Sequence, residues 1–407
     1  MKKKITIIGI NYYPEDTAIG LYTSQLAAYY HSQNIEVTIL TGFPYYPAWE
    51  INSEYKSKSK FYKEKINGIN ILRYKQYVPR NPTFIKRIIL LLDFSFGTFV
   101  NIFRIKETDV VLCIVPFIGS VFLGKILAKI KKAKLWVHVQ DFEFDAVTDS
   151  NIINNKKSRS TPFKFLFWVE KKLLNSTDLV STISTSMMLK LSEKINQNKK
   201  KVLLPNWVDL DFINPEKHKT HPYLKSKKFK ILYSGNIGEK QDWVFFIKFA
   251  NILKESSDVE IVIVGDGSNR VSLAEKLSNF ENVSFYYPVA YNELSNLLCS
   301  ADLHILFQKN NVIDTVMPSK ILAMMASQKP SLITGNIKSE VYSIINKSKA
   351  GEYFNYKEIN KIIQFVNELK LDKDLLEKYG KNARKYVSNN FSKKEVLKKF
   401  EKAFIEL

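Results

Sequence analysis

The sequence predicts an α/β protein built from two doubly wound domains of parallel sheet. Three observations carry that expectation. Apolar runs of strand length, such as "DVVLCIV" and "VEIVIVGDG", are near-continuous and not alternating, as in strands covered on both faces. Segments of helical pattern separate them, the order that gives parallel sheets. The alternation then restarts midway along the 407 residues, a length that favours two or three domains.

In chain order, "KITIIGI" is the first strand, "GLYTSQLAAYYHSQ" a helix and "EVTIL" the next strand. "DVVLCIV", the helix "SVFLGKILAKIKKA" and "LWVHVQD" follow. The second half opens on "KILYSGNIG" and the helix "WVFFIKFANILKES". It continues through "VEIVIVGDG", "SLAEKLSN", "VSFYYPV", "NELSNLLCSA" and "LHILFQ". Between the halves, "EKHKTHPYLKSKK" reads as a polar linker. "NNFSKKEVLKKFEKAFIEL" reads as a helix with apolar Val396, Leu397, Phe400, Phe404 and Leu407. Ligands of doubly wound sheets sit at the carboxyl ends of the strands, so a cleft between the domains is the expected site.

Composition removes several classes. With 45% hydrophobic and 25% charged residues the chain can bury a core, which excludes a disordered protein. Cys113 and Cys299 lie far apart in apolar surroundings, neither a disulfide framework nor a metal cluster, so a reducing cytoplasm is expected. The apolar run in "MKKKITIIGINYYP" is too short for a signal peptide. The net charge is +21 and uneven: up to Leu210, 31 Lys and Arg stand against 17 Asp and Glu, and the remainder holds 30 against 23. A basic first half points to nucleic acid, a phosphorylated substrate or an anionic membrane, with a lysine-rich background as the plain alternative.

The segment from Phe84 to Lys106, "FIKRIILLLDFSFGTFVNIFRIK", has an apolar core too short for a span, interrupted by Asp93 and Asn101. It is read as a helix packed on the first sheet. The sharper alternative is an interfacial helix, with Phe84, Lys86 and Arg87 touching an anionic membrane and the basic run "YKSKSKFYKEK" supporting it.

The candidate sites are glycine turns and cations at strand ends. Gly20 precedes or opens a helix, where backbone N–H groups can approach a phosphate or a sugar oxygen. Most strand–helix turns carry such a glycine for steric reasons, and the Gly-x-Gly-x-x-Gly dinucleotide pattern is missing. In "YSGNIGEKQD", Gly235 and Gly238 allow a close turn and Lys240 can neutralise a leaving diphosphate, unless it is simply a surface lysine. "VGDGSNR" supplies Gly265 and a further cation, Arg270. In "IDTVMPSKILAMMASQKP", Pro318 suits a helix start, and Ser319 and Lys320 make an anion site from N–H groups and an ammonium.

Taken together, "SGNIGEKQD", "VGDGSNR", "LPNWVD" and "MPSKILAMMASQKP" resemble, in order and over essentially the whole chain, a retaining glycosyltransferase of the large family 4. "GINYYPEDTAIGLYT", "FPYYPAW", "HVQDFEFDA" and "PNWVD" are similar to the bacterial fucosyl- and N-acetyl-L-fucosaminyltransferases of colanic acid, O-antigen and capsule synthesis. The resemblance implies the GT-B fold, two Rossmann-like doubly wound domains with the site in an interdomain cleft. It implies residues 1–210 as a basic acceptor domain facing a membrane, 211–385 as the nucleotide-sugar domain, and 386–407 as a helix crossing back to the first domain. It further implies donor contacts at Gly20, Gly235, Asn236, Gly265, Arg270, Asp314, Pro318, Ser319 and Lys320, and acceptor contacts at Asp16, Tyr45 and Tyr46.

The departures are specific. Asn236 stands where most of the family has a phosphate-gripping arginine, and Lys240 matches its lysine. Thr315 and Ala323 occupy the positions of a Glu-x7-Glu pair, so Asp314 is the candidate to hold the sugar and ribose recognition is left unassigned. Gln140 replaces the histidine of a histidine–aspartate pair, while Asp141 matches the aspartate and His138 is read as a packed residue. Glu143 and Asp145 follow, but the family uses no metal, and no cofactor is expected.

The implied reaction is a front-face transfer with Asp141 and Lys240 as the catalytic residues, from a nucleotide sugar onto a saccharide on a polyprenyl diphosphate. UDP-N-acetyl-L-fucosamine is the first donor and GDP-fucose the second, at the cytoplasmic face of a bacterial membrane. A sugar-nucleotide epimerase of the same fold would need acid/base groups that this chain is poor in. A nucleic-acid binder would show an exposed aromatic and basic stripe, whereas here those residues interleave inside apolar helices, so no nucleic-acid partner is expected.

Overall fold

The computed structural model describes residues 2–16, 18–116, 118–142, 161–312 and 319–407, without the side chains of Ala18, Phe84, residues 161–163 and Ser319. The chain forms two compact units: Met1–Pro205 with Leu397–Leu407, and Asn206–Val396.

The first unit runs β1 (Lys4–Ile8), α1 (Ala18–Ser32), β2 (Glu36–Gly42), α2 (Ser53–Lys56), β3 (Phe61–Ile66), β4 (Ile69–Tyr74), α3 (Phe84–Ile102) and β5 (Val110–Val115). It continues with α4 (Gly119–Lys131), β6 (Lys134–Val139), α5 (Thr161–Asn175), β7 (Leu179–Thr182), α6 (Thr185–Lys194) and β8 (Lys201–Leu203). The strand order is β3-β4-β2-β1-β5-β6-β7-β8. Every pair is parallel except β3 with β4. The order reverses between β1 and β5, where ligands of open α/β sheets collect. β1 and β5 are buried along almost their whole length, which explains their continuous apolar sequence.

The β3–β4 hairpin corrects one expectation. The basic run over residues 55–65, expected as a loose flanking segment, is in part an edge strand, β3. Its turn, Asn67-Gly68, has both φ values positive (47° and 83°), the geometry that lets a two-residue loop follow the strand twist. Lysines on an edge strand also discourage pairing with a foreign strand.

Helix α3 packs Leu90, Phe94, Thr98 and Ile102 inward. Asp93 turns inward too, accepting from the Tyr74 hydroxyl (2.7 Å) and the Tyr77 N–H (2.6 Å), so the acidic interruption is a tie to the end of β4.

In the second unit the elements are β9 (Phe229–Ser234), α7 (Trp243–Ile252), β10 (Val259–Val264), α8 (Arg270–Lys276), β11 (Val283–Tyr286), α9 (Leu294–Cys299) and β12 (Leu303–Phe307). Then come α10 (Ser319–Ala326), β13 (Ser331–Thr334), α11 (Glu340–Ser348), β14 (Gly351–Phe354), α12 (Ile359–Leu371), α13 (Lys373–Phe391) and α14 (Lys393–Ile405). The sheet is wholly parallel, β11-β10-β9-β12-β13-β14, with its reversal between β9 and β12.

The expected polar linker is instead part of this unit. Lys219 N–H donates to Asn296 Oδ1 and His221 N–H to Ser300 Oγ, both 2.9 Å. Tyr223 stacks on Tyr286 with ring centroids 3.8 Å apart, and Leu224 is buried. From Leu397 on, helix α14 belongs to the first unit, and there Phe404 meets Tyr30 at 5.5 Å, Phe400 meets Trp136 at 5.8 Å, and Tyr29 donates to Glu401 (2.7 Å).

Candidate functional site

The second unit builds its site where β9 ends. Gly235 has φ 140°, a conformation side chains avoid, and its bare α-carbon faces Lys320: a Cβ there would lie 2.9 Å from the ammonium. Lys320, on the first turn of α10, donates to the Tyr233 hydroxyl (3.3 Å) and stands 4.9 Å from that ring's centre. Tyr233 in turn donates to the Asn236 carbonyl (2.6 Å), and burial pushes its phenol pKa up, so it stays a neutral donor. The glycine turn is thus fastened from beneath by a tyrosine and topped by a cation.

A second turn locks onto the first. Gly265 follows β10, and a Cβ there would lie 1.9 Å from the Gly235 carbonyl oxygen. Ile237 N–H donates to the Asp266 carbonyl (2.8 Å) and Asn269 N–H to the Ile237 carbonyl (3.0 Å). Two loops from neighbouring strands therefore form one rigid floor with Asn236 exposed on it. Lys240 continues the same loop toward the sheet reversal. Its carbonyl accepts from Lys309 N–H (3.0 Å) and its side chain is exposed.

Arg270 occupies a different place from the other cations. Its guanidinium donates to the Gly265 carbonyl (2.6 Å) and the Tyr286 carbonyl (2.9 Å) and lies 3.9 Å from the Tyr287 ring centre. It holds the floor together. Asp314 and Pro318 lie outside the described residues, and Ser319 is described only as the first residue of α10.

In the first unit, Asp141 follows β6, half-exposed, and its Oδ1 accepts from Phe142 N–H (2.8 Å). Behind it lies a buried chain of polar groups. Gln140 Nε2 is 3.0 Å from His138 Nε2, His138 Nδ1 is 2.9 Å from Ser181 Oγ, and Trp136 Nε1 donates to the same hydroxyl (2.8 Å). Burial lowers the His138 pKa to about 3, and Phe400 of α14 sits edge-on to its ring at 5.1 Å. His138 is a neutral, packed residue that supports the strand end. Glu143 and Asp145 fall outside the described residues, and among those described no cluster of His, Cys, Asp or Glu could hold a metal ion.

Gly20 is the third residue of α1, and its α-carbon rests against Glu15, where a Cβ would come within 2.9 Å. The structure gives it a packing role. Asp16 and Tyr46 are exposed, whereas Tyr45 is buried and its phenol pKa is raised by burial.

What orders these loops escaped the sequence reading. Glu15 is buried and accepts from Tyr45 N–H, Tyr46 N–H and Asn11 Nδ2, each 2.9 Å; burial raises its pKa, and these donors pull it back down. Arg73, fully buried, pairs with Glu64 and donates to the carbonyls of Gly42 and Tyr13. Nothing in "PED" or "ILRY" marks these side chains as buried, because charged residues in a sequence read as exposed.

Residues 215–386 match the family model "Glycosyl transferases group 1". WcaI of Escherichia coli (strain K12), whose name makes it a glycosyl transferase of colanic acid biosynthesis, is 29% identical over 414 residues, 98% of each chain. Among solved structures, sucrose-phosphate synthase from Thermosynechococcus elongatus superposes with TM-score 0.73 at 12% identity, over 100% of this chain and 99% of that one. HepE of Anabaena, in complex with UDP and glucose, gives 0.67 at 13% identity over 100% of both. The two mostly parallel α/β sheets and these neighbours make the fold GT-B.

Proposed function

We propose that this enzyme, a glycosyltransferase of group 1 and GT-B fold, takes a sugar from a nucleoside-diphosphate donor held by its second unit and adds it to a saccharide of a bacterial surface polysaccharide. The observation that carries the donor half is the Lys320 ammonium over the bare α-carbon of Gly235. A diphosphate needs fixed positive charge and room for its oxygens to reach backbone, and this turn offers both. Lys240, on the same loop, is the second cation.

In the reaction we infer, the acceptor hydroxyl oxygen bonds to the anomeric carbon on the face from which the diphosphate leaves. The carbon–oxygen bond to the phosphate breaks, and the hydroxyl proton passes to the departing phosphate oxygen. Charge grows on that oxygen as the bond breaks, so cations fixed in advance lower the barrier. Asp141 orients a sugar or acceptor hydroxyl. Asp314 holds the donor sugar, and Asp16, Tyr45 and Tyr46 meet the acceptor.

For the donor we propose UDP-N-acetyl-L-fucosamine, and for the acceptor a saccharide on a polyprenyl diphosphate at the inner face of the membrane. The UDP complex of HepE and the name of WcaI support the nucleotide and the pathway class. Thermal unfolding in EDTA with UDP, GDP or neither tests this. Ligand at 100 times its Kd adds about 2.7 kcal/mol. A rise with UDP alone supports the reading, a rise with GDP alone moves the donor to a GDP-sugar, and no rise with either overturns the nucleotide site.

A further inference from the structure

The loop that follows β2 is held more tightly than a surface connection requires. Gln76 clamps its start, accepting from Phe43 N–H (2.7 Å) and donating to the Phe43 carbonyl (2.9 Å). Glu15 takes the N–H groups of Tyr45 and Tyr46, and Asn52 N–H closes the loop on the Pro44 carbonyl (2.9 Å). Inside this frame Trp49 has φ 55°, a left-handed conformation that residues of its bulk avoid. Backbone strain of this kind persists where neighbours fix it, and it collects at ligand clamps and active sites.

The neighbours of Trp49 show what the loop presents. The buried Tyr45 ring packs edge-on to it at 5.6 Å, and the exposed Tyr46 ring stands beside it at 6.4 Å. Arg87, at the end of the first turn of α3, lays its guanidinium over the indole, 5.0 Å from the ring centre. A guanidinium stacked in this way is fixed in place and keeps its N–H edge for a ligand. Arg87 is exposed and makes no hydrogen bond or ion pair with another described residue. The acids on the elements around it are engaged elsewhere. Glu50 pairs with Lys56 (2.6 Å), and Asp93, the one acid of α3, accepts from Tyr74 and Tyr77.

We propose that Arg87, stacked on Trp49, is a specificity residue that grips an oxyanion carried by the acceptor, either a phosphate of its carrier or the carboxylate of an acidic sugar. Both groups present paired oxygens to the guanidinium fork, which binds them through two parallel N–H donations. The place suits an acceptor, because the loop leaves the carboxyl end of β2, the side of an open α/β sheet where ligands collect. The strained Trp49 sets the cation in advance, so less freedom is lost when the anion arrives. The inference rests on the proposed transfer to a saccharide and concerns residues of the first unit alone.

The test is calorimetric titration of the full chain, with UDP in excess to fill the donor site. The probes are geranyl diphosphate, methyl β-D-glucuronide and the neutral methyl β-D-glucoside. At least one anionic probe is expected to bind, and the neutral one about tenfold more weakly or worse. Arg87→Met should weaken the anionic probe about 10- to 100-fold, the range for losing a charged partner, and should leave the UDP-induced thermal shift in place. Arg87→Lys should restore only part of the loss, since an ammonium has neither the fork nor the flat stack. Trp49→Leu should weaken the probe about two- to fivefold by freeing the guanidinium. Diphosphate binding that depends on Arg87 supports the proposal and assigns the anion to a lipid carrier. Glucuronide binding that depends on it also supports the proposal and assigns the anion to an acidic sugar. Binding of neither probe overturns it, as does anion binding that Arg87→Met leaves unchanged. A wild type without a UDP-induced shift fails the donor reading alone, and the Arg87 dependence is then read without UDP.

Discussion

The Lys320 ammonium is tied to the Tyr233 hydroxyl at 3.3 Å, and Tyr233 is tied to the Asn236 carbonyl at 2.6 Å. One buried phenol therefore sets both the cation and the backbone it faces. Lys320→Met should weaken UDP binding about 10- to 100-fold, the range for losing a charged hydrogen-bond partner. The ligand-free stability should move by less than about 0.5 kcal/mol, as for a half-exposed side chain. Thermal-shift titration separates the two. Equal UDP affinity in the variant would remove Lys320 from the site.

Gly235→Ala should cost more than about 1 kcal/mol, because alanine meets both φ 140° and the ammonium 2.9 Å away. Urea denaturation measures the loss. The same variant should also lose affinity for UDP, since relief comes from moving Lys320.

Lys240→Ala should lower kcat by roughly 10²-fold while donor affinity changes much less, because its charge is matched to an oxygen that becomes anionic only as the bond breaks. Single-turnover kinetics checks this. Unchanged turnover would return Lys240 to the surface.

Acid should destabilise each unit through its buried histidine. His138 and His304 have folded pKa values near 3, lowered by burial, with Lys329 adding to the effect at His304. An unfolded histidine titrates near 6.5, so below that pH the unfolded chain binds the extra proton. Stability therefore falls between about pH 6.5 and pH 3. From pH 7 to pH 5 each histidine removes roughly 2 kcal/mol. Urea midpoints at the two pH values, with His138→Gln and His304→Gln as controls, should show a flatter acid limb in the variants.

Much of the architecture could be read directly. The apolar runs at Val110–Val115 and Val259–Val264 are strands buried along nearly their whole length, with Glu260 near the start of the second the one charged exception. The glycines at 235 and 265 were legible as close turns. Harder to read were groups whose meaning depends on distant partners. Arg270 is a cation in the sequence, and in the fold its Nη1 also braces the carbonyls of Gly265 and Tyr286. Glu15 and Arg73 organise loops from inside, which a one-dimensional pattern of charge cannot reveal. His221 and Leu224 sit in a lysine-rich stretch that looked like linker, yet both are buried. The Asn67-Gly68 turn carried a hairpin signal that the surrounding lysines obscured.

The division of the chain also bears on how it is made. The first unit is not a continuous stretch: Phe400 and Phe404 complete its core against Trp136, His138 and Tyr30, and they follow the whole of the second unit in sequence. On a ribosome, the half synthesised first is the half that closes last. Until α14 emerges, an aromatic-lined face of the amino-terminal sheet is left without its cover, and in that interval a growing chain is open to chaperones and to aggregation.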